Sequence, residues 1–388
     1  MFSSRLPPDA APNALTRRLE ALRAEGASIV DLTESNPTRA GIEYPDDLLA
    51  GLGTAAALRY APHPLGMRSA REAVAADHAR RRAAVDPAHV VLTASTSEAY
   101  GWLFKLLCNP GDRVLVPRPS YPLFEHLTRL DAVDAVPYDL EYHGRWEVDF
   151  PSIERGLDAR TRAILVVSPN NPTGSYLSRS EADRLLELCS AQGLALIADE
   201  VFSDYPLDAR ADRAMDLALQ DRALAFTLGG LSKSVGLPQL KLGWMVVGGP
   251  PARRDAALGA LELIADSYLS VSTPVQLAAP ALLGRGHGVR ERIQSRIREN
   301  LARLHALVAT HPSCELLPAE GGWSGVVRVP DLVGEDALVM TLLERERILV
   351  HPGYFFDFPR PAYIIVSLLP EPAIFAEAVA RMLQVVSG

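Results

Sequence analysis

From about residue 70 to residue 250 the chain alternates apolar runs of strand length with amphipathic stretches of helix length. A strand that reads as a continuous apolar run must be covered on both faces, and intervening helices supply that cover. The alternation therefore predicts an α/β fold with a mostly parallel, seven-stranded type of sheet between helices. The strand segments are 90–92, 113–116, 163–167, 195–198, 223–228 and 244–247, with helices expected over 97–107, 178–192 and 275–283. A charged and apolar periodic segment over 289–309 reads as one long helix leading out of this region. Beyond it, 325–329 and 363–367 alternate like strands of an antiparallel sheet. At 388 residues the chain is long for one domain. The expected division is a large domain over 46–288 and a smaller α+β domain built from 1–45 and 289–388.

Composition narrows the function. A net charge of −8 leaves no basic excess for nucleic acid, and the short cluster Arg80-Arg81-Arg82 reads as the solvated end of a helix. Cys108, Cys189 and Cys314 lie far apart without metal-ligand spacing, so neither a metal site nor a disulfide frame is expected, and a reducing cytoplasm suits them. No apolar run reaches the ~18 residues of a membrane span, and the opening Met-Phe-Ser-Ser-Arg-Leu-Pro-Pro has no signal-peptide core. The expectation is a soluble, unexported protein. No Gly-x-Gly-x-x-Gly follows a strand, which disfavours a dinucleotide enzyme.

Three islands carry chemistry. Ser168-Pro-Asn-Asn-Pro-Thr-Gly174 leaves the apolar run 163–167, and a second apolar run ends at Asp199. The third is Leu231-Ser232-Lys233-Ser234, followed eight residues after the lysine by Lys241. Ligands of open α/β sheets lie outside the carboxyl ends of the strands, where an amide, a carboxylate and a lysine would converge. A lysine in a tight small-residue turn, desolvated and crowded by a second cation, has a lowered pKa and a nucleophilic amine. Taken singly, Asn171 also reads as a turn residue, Asp199 as a cap or surface acid, and the Ser-Lys turn as a solvated loop.

The order of Asn-Pro-Thr-Gly, Ala-Asp-Glu-Val and Ser-Lys with a cation eight residues on resembles the class I/II aminotransferases, the fold-type-I enzymes that use pyridoxal 5′-phosphate. The likeness extends to Asp31-Leu-Thr-Glu-Ser-Asn-Pro-Thr38, to 60–66, to Thr93-Ala-Ser-Thr-Ser-Glu-Ala99, and to Asn109-Pro-Gly-Asp with Pro119-Ser-Tyr-Pro122. It implies transfer of an amino group between an amino donor and a 2-oxo acid, with Lys233 as the Schiff-base lysine and the acid and base of the proton shift. Asp199 would face the pyridine nitrogen, Asn171 the phenolate oxygen, and Tyr121 the ring face. Ser95, Thr96 and Ser97 before a helix, with Ser232 and Lys241, would hold the phosphate, although Ser95 to Ser97 also read as a plain helix cap. The resemblance further implies that Tyr60 reaches the phosphate of a neighbouring subunit in a homodimer, and that Asn36 meets the substrate.

The departures are specific. Lys241 stands where the family has Arg, Phe202 where it commonly has Tyr, and Gly230 where it often has Ser or Thr. Ile365 stands where the family's arginine clamps the substrate carboxylate, so the expectation is either a substrate without that group or a clamp from Arg360 or Arg39. A β-eliminating lyase on the same scaffold is the alternative reading. A non-catalytic cofactor sensor fused to a DNA-binding domain is disfavoured, because only about 30 residues precede Asp31 and no basic helix is present.

Overall fold

A computed structural model describes residues 2–7, 11–81, 83–209 and 212–387. Chain order runs β1 (Val30–Asp31), β2 (Val90–Thr93), β3 (Arg113–Arg118), β4 (Asp134–Tyr142), β5 (Trp146–Val148), β6 (Thr161–Val167) and β7 (Ala195–Asp199). It continues with β8 (Ala225–Gly230), β9 (Gly243–Gly248), β10 (Glu315–Leu316), β11 (Ser324–Arg328), β12 (Ile348–Leu349), β13 (His351–Pro352) and β14 (Tyr363–Ser367). The central sheet has the order β2-β9-β8-β7-β6-β3-β4-β5. Its middle strands β4, β3, β6, β7 and β8 pair in parallel, and β9 runs against both β8 and β2. The sheet thus has eight strands rather than seven. The extra one, β5, folds back on β4 as a short antiparallel edge around Tyr142↔Trp146.

Alternate residues along the strands feed two separate cores. Ile164, Val166, Leu196 and Ala198 join the cluster on one face, and Ala163, Leu165, Ala195 and Ile197 join the cluster on the other. That two-sided burial is why these strands read as unbroken apolar runs. The helix over Arg179–Gln192 starts where the sequence reads it because Ser178 and Glu181 form a capping box, and it ends at Gly193, whose φ of 69° is left-handed. Helices Arg68–Ala79, Leu123–Leu130, Pro251–Asp266 and Pro372–Val386, along with β4 and β5, are additions to the sequence reading. Within the basic cluster Arg80 is exposed yet pairs with Asp77 and Asp204, whereas the half-buried Arg81 turns inward to pair with the buried Asp216 at 2.7 Å. Arg82 lies outside the described residues.

The long helix spans His287–Val308 and packs against Pro372–Val386. Beside them lies an antiparallel sheet of order β10-β11-β14-β13. The N-terminal arm is tied to this part of the chain by parallel pairing of β1 with β12, Val30↔Ile348 and Asp31↔Leu349. Among the described residues no helix is long and apolar enough to cross a membrane.

Candidate active site

Because β2, β3, β6, β7 and β8 all run in one direction, their carboxyl ends lie on one edge of the sheet. A cavity of about 370 Å³ opens there. Its wall takes Thr96 and Ser97 from the turn after β2, Tyr121 from after β3, Asn171 from after β6, Asp199 from the end of β7 and Lys233 from after β8.

Asp199 is held in place by register, opposite Val167 on one side and Leu228 on the other. Its Oδ2 accepts the Tyr100 hydroxyl at 2.7 Å and its Oδ1 accepts the Val201 N–H at 3.1 Å. Burial raises its pKa, against which the Tyr100 and Val201 hydrogen bonds and the charge of Lys233 act. Lys233 sits in the single turn Leu231–Ser234. Its backbone oxygen accepts the Tyr205 hydroxyl at 2.7 Å, and the oxygen of Ser234 accepts Arg290 Nε at 3.0 Å. The Lys233 ammonium is brought down to about 8 by burial, while Asp199 pulls the other way. Desolvation therefore does what the sequence reading asks of it. The second cation does not, because the Lys241 side chain lies exposed on a left-handed backbone and plays no part in the shift.

Phe202 and Trp323 meet edge to face at 5.2 Å, and Lys233 Nζ stands 5.2 and 5.0 Å from their ring centroids. Asn171 Oδ1 accepts the Ser324 hydroxyl at 3.4 Å. Tyr121 stands 44% exposed on the cavity wall rather than locked in the core. The wall is completed by residues of the arm and the C-terminal sheet, among them Thr33, Ser35, His351, Ile365 and Ser367.

The remaining expected residues lie off this wall. Ser95 caps the helix Thr96–Leu107, its hydroxyl accepting the Glu98 N–H at 3.1 Å. Ser232 and Lys241 approach the same helix end through the Leu231 to Leu242 hydrogen bond and the Thr93↔Gly243 register. Tyr60 is 77% exposed in a separate cleft with Trp102 and Leu269. Asn36 spends its Oδ1 on Thr38, Arg39 pairs with Glu34 at 3.1 Å, and Arg360 is exposed on the loop before β14. Neither arginine reaches the cavity, whereas Ile365 does. Sequence reasoning missed Tyr100, Tyr205, Trp323 and His351. Of these only Tyr100 had a legible signal, lying four residues after Thr96 on the same helix face.

The sequence pattern of the family described as "Aminotransferase class I and II" matches residues 39–374. The chain is 27% identical over 385 residues to the glutamate-pyruvate aminotransferase AlaA of Haemophilus influenzae, covering 95% of this chain and 93% of that one. It is 29% identical over 374 residues to an alanine aminotransferase of Mycobacterium tuberculosis, covering 93% and 86%. Among solved structures, an aminotransferase from Escherichia coli superimposes with a TM-score of 0.88 at 26% identity, over 100% of this chain and 98% of that one. The alanine aminotransferase from Pyrococcus furiosus shares the fold at a TM-score of 0.89 and 22% identity, over 99% of each chain.

Proposed function

The chain belongs to the class I and II aminotransferase family, and on that premise we propose that it works with pyridoxal 5′-phosphate held on Lys233. It is an aminotransferase, moving an amino group between an amino acid or related amine and a 2-oxo acid; the matches do not favour the lyase alternative. The observation that carries the cofactor reading is that the Lys233 amine, just after β8, and the Asp199 carboxylate, at the end of the neighbouring parallel β7, face one cavity.

The donor set suits that cofactor. Asp199 is a buried carboxylate that would gain a counter-charge from a protonated ring nitrogen, and Tyr100 and Val201 hold its two oxygens at fixed angles. Thr96 and Ser97, at a helix N-terminus, offer hydroxyls and N–H groups to a phosphate, with Ser232 and Lys241 close to that helix end. Asn171 would meet the ring oxygen and Tyr121 the ring face. When bound, the cofactor supplies an electron sink for the carbon that bears the amino group. Lys233, depressed to about 8 by burial, is poised to give and take the proton at that carbon near neutral pH. Phe202 and Trp323 exclude water from its amine.

The same reading makes the protein a cytoplasmic homodimer, with Tyr60 of one subunit serving the other, and divides the chain into 46–288 and a smaller unit of 1–45 and 289–388. Borohydride reduction of the yellow protein followed by peptide mapping should place the label on Lys233, and label on Lys105 or Lys241 would overturn the assignment. Mixing inactive Lys233→Ala and Tyr60→Phe chains should restore activity in the hybrid dimer.

A further inference from the structure

An amino acid and a 2-oxo acid each bring a carboxylate into the cavity, and that anion loses its water as it enters. Among the described residues of the wall, Lys233 is the only lysine or arginine, and its amine is the reacting group. Hydroxyls on the wall bring no charge, and those of Thr33, Ser324 and Ser367 are already engaged. Thr33 already donates to Asp31, Ser324 to Asn171 at 3.4 Å, and Ser367 to the Glu34 oxygen at 2.6 Å. The buried indole N–H of Trp323 has no partner, but it brings no charge.

One side chain on this wall has both a free donor and the capacity for charge. His351 is the register partner of Ile365 across the β13–β14 ladder, so the two side chains stand on the same face of the sheet. Its ring is stacked on Phe355 at 4.6 Å and 6° and meets the edge of Phe356 at 5.5 Å, which fixes the imidazole plane. Neither ring nitrogen is engaged by another described residue.

We propose that His351 is the specificity-determining residue that receives the substrate carboxylate, taking up a proton as the acid binds and so replacing a permanent cation at the Ile365 position. The proposal rests on the aminotransferase reading for the presence of a carboxylate. Burial holds the free imidazole down to about 4, with Asp31 pulling it up, so the ring is neutral until an anion approaches it. The other titratable groups around it are Lys233, Asp199, Tyr100 and Tyr121 on the cavity wall, and Glu335, which accepts the N–H groups of Tyr354 and Tyr363. A carboxylate arriving within hydrogen-bond distance of the ring adds to the pull of Asp31 and favours the charged form.

The test uses the holoenzyme and two unreactive probes chosen for the aromatic wall, 3-phenylpropanoate and its neutral amide. Titration calorimetry at pH 6.5 should show the wild type preferring the acid by at least about tenfold. His351→Phe should abolish that preference while still binding the amide, and His351→Arg should restore it. A wild type that binds both probes alike, or a preference that survives in His351→Phe with the cofactor absorbance intact, would overturn the proposal. Acid preference through His351 in a protein that transfers no amino group would count against the reaction reading alone and leave this assignment standing.

Discussion

The Tyr100 hydroxyl donates to Asp199 Oδ2 at 2.7 Å, joining the helix after β2 to the end of β7. Burial pushes the Tyr100 phenol well above its ordinary pKa, so it remains a donor at every working pH. Removing it leaves a buried carboxylate oxygen short of a partner, at about 1.5–3 kcal/mol for a hydrogen bond to a charged group. Tyr100→Phe should therefore lower kcat by roughly ten- to a hundredfold. Asp199→Ala should be far more severe than Asp199→Glu. Equal, mild losses in steady-state kinetics would contradict the role given to this pair.

Phe202 lines the cavity without the hydroxyl that a tyrosine there would bring. Phe202→Tyr should add a hydrogen bond that favours the ionised ring oxygen of the bound cofactor. The midpoint of the cofactor's absorbance titration should then fall. A midpoint that stays in place or rises removes Phe202 from the cofactor's surroundings.

Lys233 ties the stability of the cofactor-free protein to pH. Its folded pKa of about 8 lies below the ordinary lysine value of 10.5, so between these limits the unfolded chain binds more protons and stability rises with pH. Below about 8 both states are protonated and the full cost of the buried ammonium is felt. Lys233→Met should therefore raise the apoprotein's melting temperature at pH 7, and the gain should shrink steadily as pH climbs toward 10.5. Parallel melting curves at every pH would refute this.

Arg290 connects the long helix to the turn behind the reactive lysine. It is buried, pairs with Asp77 at 2.6 Å and donates to the Ser234 oxygen at 3.0 Å. Arg290→Ala removes the shorter of the two guanidinium contacts to Asp77 and leaves only Arg80 at 3.3 Å, so chemical denaturation should show a loss of about 1–3 kcal/mol. The double variant with Asp77→Leu should recover part of it. A loss below about 1 kcal/mol in the single variant would mean that water replaces the guanidinium.

Much of this was written in the sequence because parallel strands buried on both faces announce themselves as apolar runs, and their loops carry Asn171, Asp199 and Lys233 to one edge. The strand β4 escaped because it is only partly buried and interrupts its apolar pattern with Pro137 and charged residues. Asp216 was illegible as the partner of Arg81, because 135 residues separate them and a basic cluster at a helix end looks the same whether solvated or paired. His351 lies in a strand of two residues, too short for any periodicity to show which way its ring faces. Arg39 and Arg360 were nominated by sequence proximity, which says nothing about distance across a cavity.

The pairing of β1 with β12 has a mechanical consequence. The Val30 N–H reaches the Arg347 oxygen at 2.8 Å, the Leu32 N–H reaches Leu349 at 2.9 Å, and the Ser367 N–H reaches back to Leu32 at 2.6 Å. The arm is thereby tied, through Leu32 and Ser367, to the sheet that carries His351 and Ile365, and Thr33 and Ser35 are held on the same side of the cavity. Removing the residues ahead of 36 would not trim a tail but strip Thr33 and Ser35 from the cavity wall, opening the side of the site that Lys233 and Asp199 face to water.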